Sequence, residues 1–351
     1  SADYGFNGSP RQLINPERLK TVFLQMLHEA HCEVLLYTFV CEPIMDGDRL
    51  TGVIVENKSG RQAIFARIII DSTGDGDIAA KAGAAYVKGR ETDGAMQPAS
   101  LMFKIGGVDY SRAVFPGKFE DYIQIPKGEI QALGKSHLPF PAGHVLLYRS
   151  TLPGVVTCNM TNCTGIDGTN AADLSRAVLV CRNQLQPILD FLHEFVPGYE
   201  NCYLLETASL IGVRETRHFK GLETITEEDI RSSRVFPDWA VTHASFNFDV
   251  HNMTGNGLDA TGAQDAFTAT SYTIPYGCLV PEKIDGLLLA GRNISGTHMA
   301  HANYRVMPIC ANMGQAAGIA AALCCKEDIQ PRDVKVPELQ KLLLQNGVLP
   351  V

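Results

Sequence analysis

Apolar residues recur at helical spacing from Pro16 to Ala30, at Leu19, Val22, Phe23, Met26 and Leu27. Asn15 ahead of Pro16, with Glu17 next, provides a cap and a first-turn proline, so a helix is predicted here. From Cys32 onward the period shortens to that of strands. The pattern predicts a strand over Val34–Thr38, then a three-stranded antiparallel meander turning at Asp46-Gly47 and Ser59-Gly60. Ile68–Ser72 is apolar without alternation, as an interior parallel strand buried on both faces should be. Beyond Gly89, strand-like pieces (Leu101–Ile105, His144–Tyr148, Gly154–Asn159) are scattered among Pro, Gly and aromatic residues, with helices predicted over Ala171–Phe195 and Thr226–Arg231. A strand over Asp285–Ala290 then opens onto Gly291, and a helix runs from Pro308 to Cys325.

These elements predict an α/β chain in three stretches: residues 1–94, an inserted α+β domain over 95–270, and a return to the first texture over 271–351. At 351 residues and 45% hydrophobic, the chain is long enough for two cores. A net charge of -8 without a Lys/Arg cluster argues against nucleic acid as a partner. Ala316–Cys325 is too interrupted by Gly to predict a membrane span, and Ser1–Pro10 carries no apolar targeting run, so a soluble, cytoplasmic protein is expected. The ten cysteines form no CxxC pair or paired CxxC pattern; they are expected to be buried reduced thiols, and no metal centre is expected.

Two segments carry candidate chemistry. The first, IIIDSTGDGDIAAKAG (68–83), reads as a buried strand, a Gly/Asp turn and a helix. Gly74 and Gly76 permit a sharp turn and close approach to a ligand, and Asp77 is expected to cap the helix. The carboxyl end of a parallel strand is where open α/β sheets bind ligands, although a plain strand-to-helix turn suits the same residues. The second segment runs from Leu287 to Cys325. Its strand ends at Gly291-Arg292, its loop holds His298, His301, Asn303 and Arg305, and its helix repeats small residues at Ala311, Gly314, Ala317, Gly318 and Ala321. Such a helix can press against another backbone or a flat ligand, and its N-terminus favours negative charge. Tight helix-to-sheet packing explains the small residues but not the two histidines and the arginine before them.

Together with NPERLK, KGRETDGAMQP, LIGVRETRHFKG (210–221), IPYGCLVP and AGRNISGTHMAHANYRVMP, these segments resemble the FAD-dependent oxidoreductase family, related to glutathione-reductase and fumarate-reductase flavoproteins. The resemblance covers nearly the whole chain. It implies FAD as cofactor and a Rossmann-type FAD-binding domain, a three-layer ββα unit with an antiparallel meander, interrupted by a substrate domain. It implies that Thr73, Gly74 and Asp75 lie against the FAD diphosphate or ribose, that backbone near Val40 meets the adenine, that Gly291 and Arg292 turn beneath the cofactor, and that Gly314, Gln315 and Ala316 approach the flavin. Members of the family begin with a strand, a GxGxxG turn and a helix, and no GxGxxG followed by a helix occurs here. The chain is therefore expected to be incomplete, by truncation or because another polypeptide complements it, and to bind FAD weakly or not at all alone.

Flavin enzymes leave hydride chemistry to the cofactor, while the protein positions substrate and manages a proton. Hydride transfer between a small organic substrate and flavin is the expected reaction, with His251 or His301 as proton-transfer group and Arg305 as electrostatic stabiliser. Arg214, Arg217 and His298 are candidate substrate contacts, although the two arginines equally suit an ion-pair lattice with Glu206 and Glu215. Competing readings are an inactive remnant or a subunit that pairs with a partner or with itself, and a tRNA-modifying flavoprotein, which the acidic charge disfavours.

Overall fold

In the computed structural model, the described residues are 13–118, 121–257 and 270–351, with the backbone of the antiparallel pair Asp3–Tyr4 and Pro10–Arg11. Residues 258–269, at the end of the expected inserted domain, lie outside them. The chain is mixed α/β and forms two compact units. The first comprises Ser1–Leu35, Gln97–Arg214 and His251–Ala260; the second comprises Leu36–Met96, Glu215–Val250 and Thr261–Val351.

The first unit centres on a four-stranded antiparallel sheet in the order Leu147–Arg149, Val156–Cys158, Phe103–Gly106, Tyr203–Thr207. Its core gathers Phe103, Ile105, Leu147 and Val156 from the strands with Ile188, Leu189 and Leu192 from a helix. That helix, Leu185–Phe195, turns Leu185, Ile188, Leu189 and Leu192 inward at three- and four-residue spacing, which explains why it forms and which face it buries. The single helix predicted over Ala171–Phe195 is two, Ala171–Asn183 and Leu185–Phe195, divided at Gln184. Pro187 lacks the N–H that would reach the Asn183 carbonyl, so the break is written in the chain. Pro16–Glu29 is helical as predicted, with the Asn15 side chain accepting from the N–H groups of Glu17 (3.0 Å) and Arg18 (3.2 Å). None of its residues is buried.

In the second unit the meander forms as predicted from Phe39–Asp46, Arg49–Asn57 and Gly60–Phe65. Ile69–Asp71 pairs in parallel with Leu287–Leu289, register Ile69 to Leu287 and Asp71 to Leu289. Helix Met307–Glu327 buries Ile309, Met313, Ala316, Ala317 and Ala320 in the same core cluster as Leu287, Leu288 and Leu289. The expected interruption by glycine does not occur. At 21 residues this helix is long and apolar enough by composition to cross a bilayer, and part of it is buried in this core.

No strand forms over Val34–Thr38. Tyr37 takes φ +54, which ends an extended run, and Val34, Leu35 and Leu36 are exposed. All ten cysteines are free thiols, but not all are buried: Cys32 and Cys325 are exposed. Burial raises the Cys158 and Cys278 thiols well above their ordinary pKa, which makes them inert.

Candidate functional site

The parallel pair in the second unit delivers two chain reversals side by side, one after Asp71 and one after Leu289. Asp71 organises the first. Its Oδ1 accepts from the Thr73 N–H (3.0 Å) and hydroxyl (2.7 Å), and its Oδ2 accepts from the N–H groups of Ile78 (3.1 Å) and Ala79 (2.9 Å). The helix Asp77–Lys81 is therefore capped by Asp71 rather than by Asp77, and its N-cap position is Gly76 at φ +64. Asp77 is the first helical residue and pairs with Arg217 Nη1 at 2.9 Å. The cue for Asp71 was present in the sequence: an acid closing an apolar strand immediately before a glycine turn.

Of the predicted elbow residues, Thr73 is engaged with Asp71 and accepts from the Asp77 N–H (2.9 Å). Asp75 Oδ1 accepts from the Thr216 hydroxyl (2.6 Å) and Arg292 Nη2 (2.9 Å). Gly74 (φ +85) lies beneath Arg292: a Cβ there would stand 2.4 Å from Arg292 Nη1. Arg292 thus ties the second reversal to the first, while its buried Nε has no partner among the described residues. Asn293, fully buried, donates from Nδ2 to the Asp71 carbonyl (3.0 Å), and its Oδ1, beside Gly291 (φ +121), has no partner among the described residues.

After this loop, the Thr297 side chain caps the short helix His298–Tyr304, whose residues apart from Met299 are all buried. The His298 N–H donates to Glu91 Oε1 (2.8 Å). Arg305 Nη2 pairs with Asp249 Oδ2 (2.8 Å), and its buried Nε has no partner among the described residues. Helix Met307–Glu327 begins at Val306 without a side-chain cap, leaving its first N–H groups available. Gly314 and Gly318 share an exposed face with nothing within 4 Å of a Cβ placed on either. Ala316 instead lies in the core, and Gln315 Nε2 donates to the Asn346 carbonyl (3.2 Å), so the three expected flavin contacts do not share one face.

Beside this loop, Glu215 Oε1 meets His218 Nε2 at 2.8 Å and His298 Nδ1 at 2.6 Å. Burial drives the Glu215 carboxyl pKa upward, and the hydrogen bonds from His218 and then His298 outweigh it and leave the group below the ordinary carboxylate range. The carboxylate is ionised. His301 is pushed well below its ordinary pKa by burial and by His218, against the pull of Glu215, so it is neutral. Among the described residues, Glu206 pairs with Lys104, Arg217 with Asp77, and Glu215 with the imidazoles of His218 and His298.

Three predicted residues remain. Val40 is half-buried in the first meander strand, next to a register shift. Arg214 belongs to the first unit and donates to the Pro98 carbonyl and to Ser100 Oγ (2.9 Å). His251, also in the first unit, is buried and its N–H donates to Gln97 Oε1 (3.1 Å).

Chemically, the strand ends of the second unit carry buried polar atoms with no partner among the described residues (Asn293 Oδ1, Arg292 Nε), which suits a polar ligand, and helix Met307–Glu327 separately presents Gly314 and Gly318 on an exposed face. A family model described as FAD dependent oxidoreductase matches residues 2–343. Comparison with curated proteins gives no match. Among solved structures the chain is similar to a geranylgeranyl bacteriochlorophyll reductase-like protein from Thermoplasma acidophilum, at 11% identity and TM-score 0.46 over 95% of this chain and 59% of that one. It is also similar to p-nitrophenol 4-monooxygenase from Pseudomonas putida (10%, TM-score 0.39, covering 90% and 54%) and to the myxobacterial chondrochloren halogenase (13%, TM-score 0.40, covering 97% and 57%). The chain spans less than two thirds of the length of each of these structures.

Proposed function

The chain belongs to the FAD-dependent oxidoreductase family, with FAD as its cofactor, and we propose that it serves hydride transfer between a small organic substrate and the flavin. The observation that carries this reading is the parallel pair Ile69–Asp71 and Leu287–Leu289, whose carboxyl ends place the Gly/Asp elbow beside Gly291–Asn293. When bound, FAD supplies the hydride-accepting ring. In this reading Arg292 and Asn293 meet the cofactor's polar portion with the atoms that lack protein partners. Thr73, Gly74, Asp75 and Gly291 shape the backbone that approaches it. Val40 lies toward the adenine, and Gly314, with Gln315 and Ala316 behind it, lies toward the flavin.

Substrate oxidation removes a hydride from carbon and a proton from the neighbouring heteroatom, and the proton requires an acceptor. His251 or His301 fills that role; Arg305, held by Asp249, stabilises developing negative charge; Arg214, Arg217 and His298 orient the substrate. FAD titration followed by visible circular dichroism tests the site: binding by this chain alone is expected to be weak, and any induced flavin signal should have its apparent Kd raised at least tenfold by Arg292→Met. An apparent Kd that Arg292→Met leaves unchanged would refute the assignment of this site. In flavin-loaded protein, His301→Gln and Arg305→Met should each slow flavin reduction by substrate about 100-fold or more with the flavin signal unchanged. Unaltered reduction rates would remove those two residues from the reaction.

A further inference from the structure

Glu215, His218 and His301 come from two separate stretches of sequence and meet in the core of the second unit. One donor atom from each lies within 4.8 Å of the others, and all three side chains are buried. We propose that these residues form a binding site for one divalent cation of the Zn2+ class. Three features carry the assignment. First, one carboxylate and two imidazoles form a donor set suited to borderline transition metals, whereas Mg2+ and Ca2+ require oxygen ligands. Second, His301 Nδ1 is buried with no hydrogen-bond partner among the described residues, in a ring 4.8 Å from that of His218 and nearly perpendicular to it. A buried imidazole nitrogen left unmatched is unfavourable, and coordination would satisfy it. Third, His298 Nδ1 holds Glu215 Oε1 at 2.6 Å from outside the trio, the outer support that metal-binding carboxylates commonly have.

Zn2+ ligands at about 2.0–2.2 Å from the metal stand roughly 3.3–3.5 Å apart, between the 2.8 Å hydrogen bond of His218 to Glu215 and the 4.8 Å outer limit of the cluster. Loading therefore spreads the first contact and draws His301 inward. Three protein ligands leave one position for water. With His301 committed as a ligand, the proton group of the proposed reaction is His251. Metal binding is measured without flavin or substrate, so its failure leaves the flavin reading untouched, and a failed FAD titration leaves the metal site standing.

Full-length protein stripped with a chelator and gel-filtered should take up one equivalent of Co2+, with a visible ligand-field difference spectrum that Zn2+ abolishes. X-ray absorption of the Zn2+-loaded protein should show a nitrogen/oxygen shell with imidazole scattering. His218→Gln and Glu215→Gln should each weaken Co2+ binding at least tenfold. If a variant does not fold, as judged by far-ultraviolet circular dichroism, the wild-type absorption spectrum alone decides. Failure to saturate at one equivalent, sulfur ligation of the bound metal, or undiminished binding in both folded variants would overturn the assignment.

Discussion

Polar groups are buried in both units, but they are held differently. In the first unit they close on the backbone in reciprocal neutral pairs. The Asn162 N–H donates to Gln184 Oε1 while Gln184 Nε2 donates to the Asn162 carbonyl, both at 2.8 Å. The Thr161 hydroxyl accepts from the Leu101 N–H (2.7 Å) and donates to the Leu101 carbonyl (3.0 Å). In the second unit, side chains hold side chains and charge is involved: Glu215 with two histidines, Asp75 with Arg292, Asp249 with Arg305. Several of these groups keep an atom with no partner, among them Arg292 Nε, Arg305 Nε, His218 Nδ1 and His301 Nδ1; Asn159 Oδ1 is an example in the first unit. Reciprocal neutral bonds define a shape and are complete in themselves. A charged network with unmade bonds is costly to keep, and such groups belong where a ligand completes them.

The sharpest way to break that contrast is to remove one anchor from each unit. Glu215→Ala strips the acceptor from both His218 and His298 in a fully enclosed setting, and a loss of about 3–5 kcal/mol in unfolding free energy is expected. Gln184→Ala removes a neutral pair and should cost about 1–3 kcal/mol. Urea unfolding of the two variants beside wild type makes the measurement. Equal losses would mean that the charged cluster is an ordinary piece of core.

A second pair of variants separates backbone strain from site geometry. Gly74 (φ +85) and Gly165 (φ +61) both occupy the left-handed region, so alanine at either costs about 1–2 kcal/mol. Only at Gly74 does the new Cβ meet a neighbour, the Arg292 guanidinium at 2.4 Å; at Gly165 nothing lies within 4 Å. Gly74→Ala should therefore lose more stability than Gly165→Ala and, by displacing Arg292 from Asp75, should weaken the FAD-induced dichroism about tenfold. Identical behaviour of the two would show that the elbow takes no part in holding cofactor.

Much of the scaffold was legible because its apolar period is strong: the first helix, the meander with its Asp-Gly and Ser-Gly turns, the strand at Ile69–Asp71 and the long helix near the C-terminus. The failures have local causes. Val34–Thr38 has a strand's composition, but Tyr37 adopts a left-handed φ that periodicity cannot report. Pro187, inside an otherwise helical pattern, did signal the break at Gln184. Candidate chemistry was legible as segments and not as partnerships. The loop with His298, His301 and Arg305 stands out in sequence, yet nothing in the chain announces that Glu215 and His218, some eighty positions earlier, complete its cluster. Nor could residue type separate Gly314 on an open face from Ala316 in the core; that needs the helix's orientation.

The smallest expected effect concerns a second carboxyl of the second unit, where ionisation is opposed instead of favoured. Burial, and then the neighbouring Asp238, push the Glu223 carboxyl up to about 7 from its ordinary 4.5, against weaker opposition from the Gly277 N–H and Arg234. The folded protein keeps this proton where the unfolded chain has released it, so between about pH 4.5 and 7 the native state binds more protons. Stability from this group is then greatest below the unfolded value, declines as pH rises through that window, and is level above it. Glu223→Gln, which retains the shape without the titration, should flatten the decline: relative to wild type its thermal midpoint should be higher at pH 8 than at pH 5. The half-exposed setting keeps the shift small, and measuring the difference between the two proteins cancels every other titrating group they share. Parallel midpoint curves would show that Glu223 ionises in the fold as freely as in the unfolded chain.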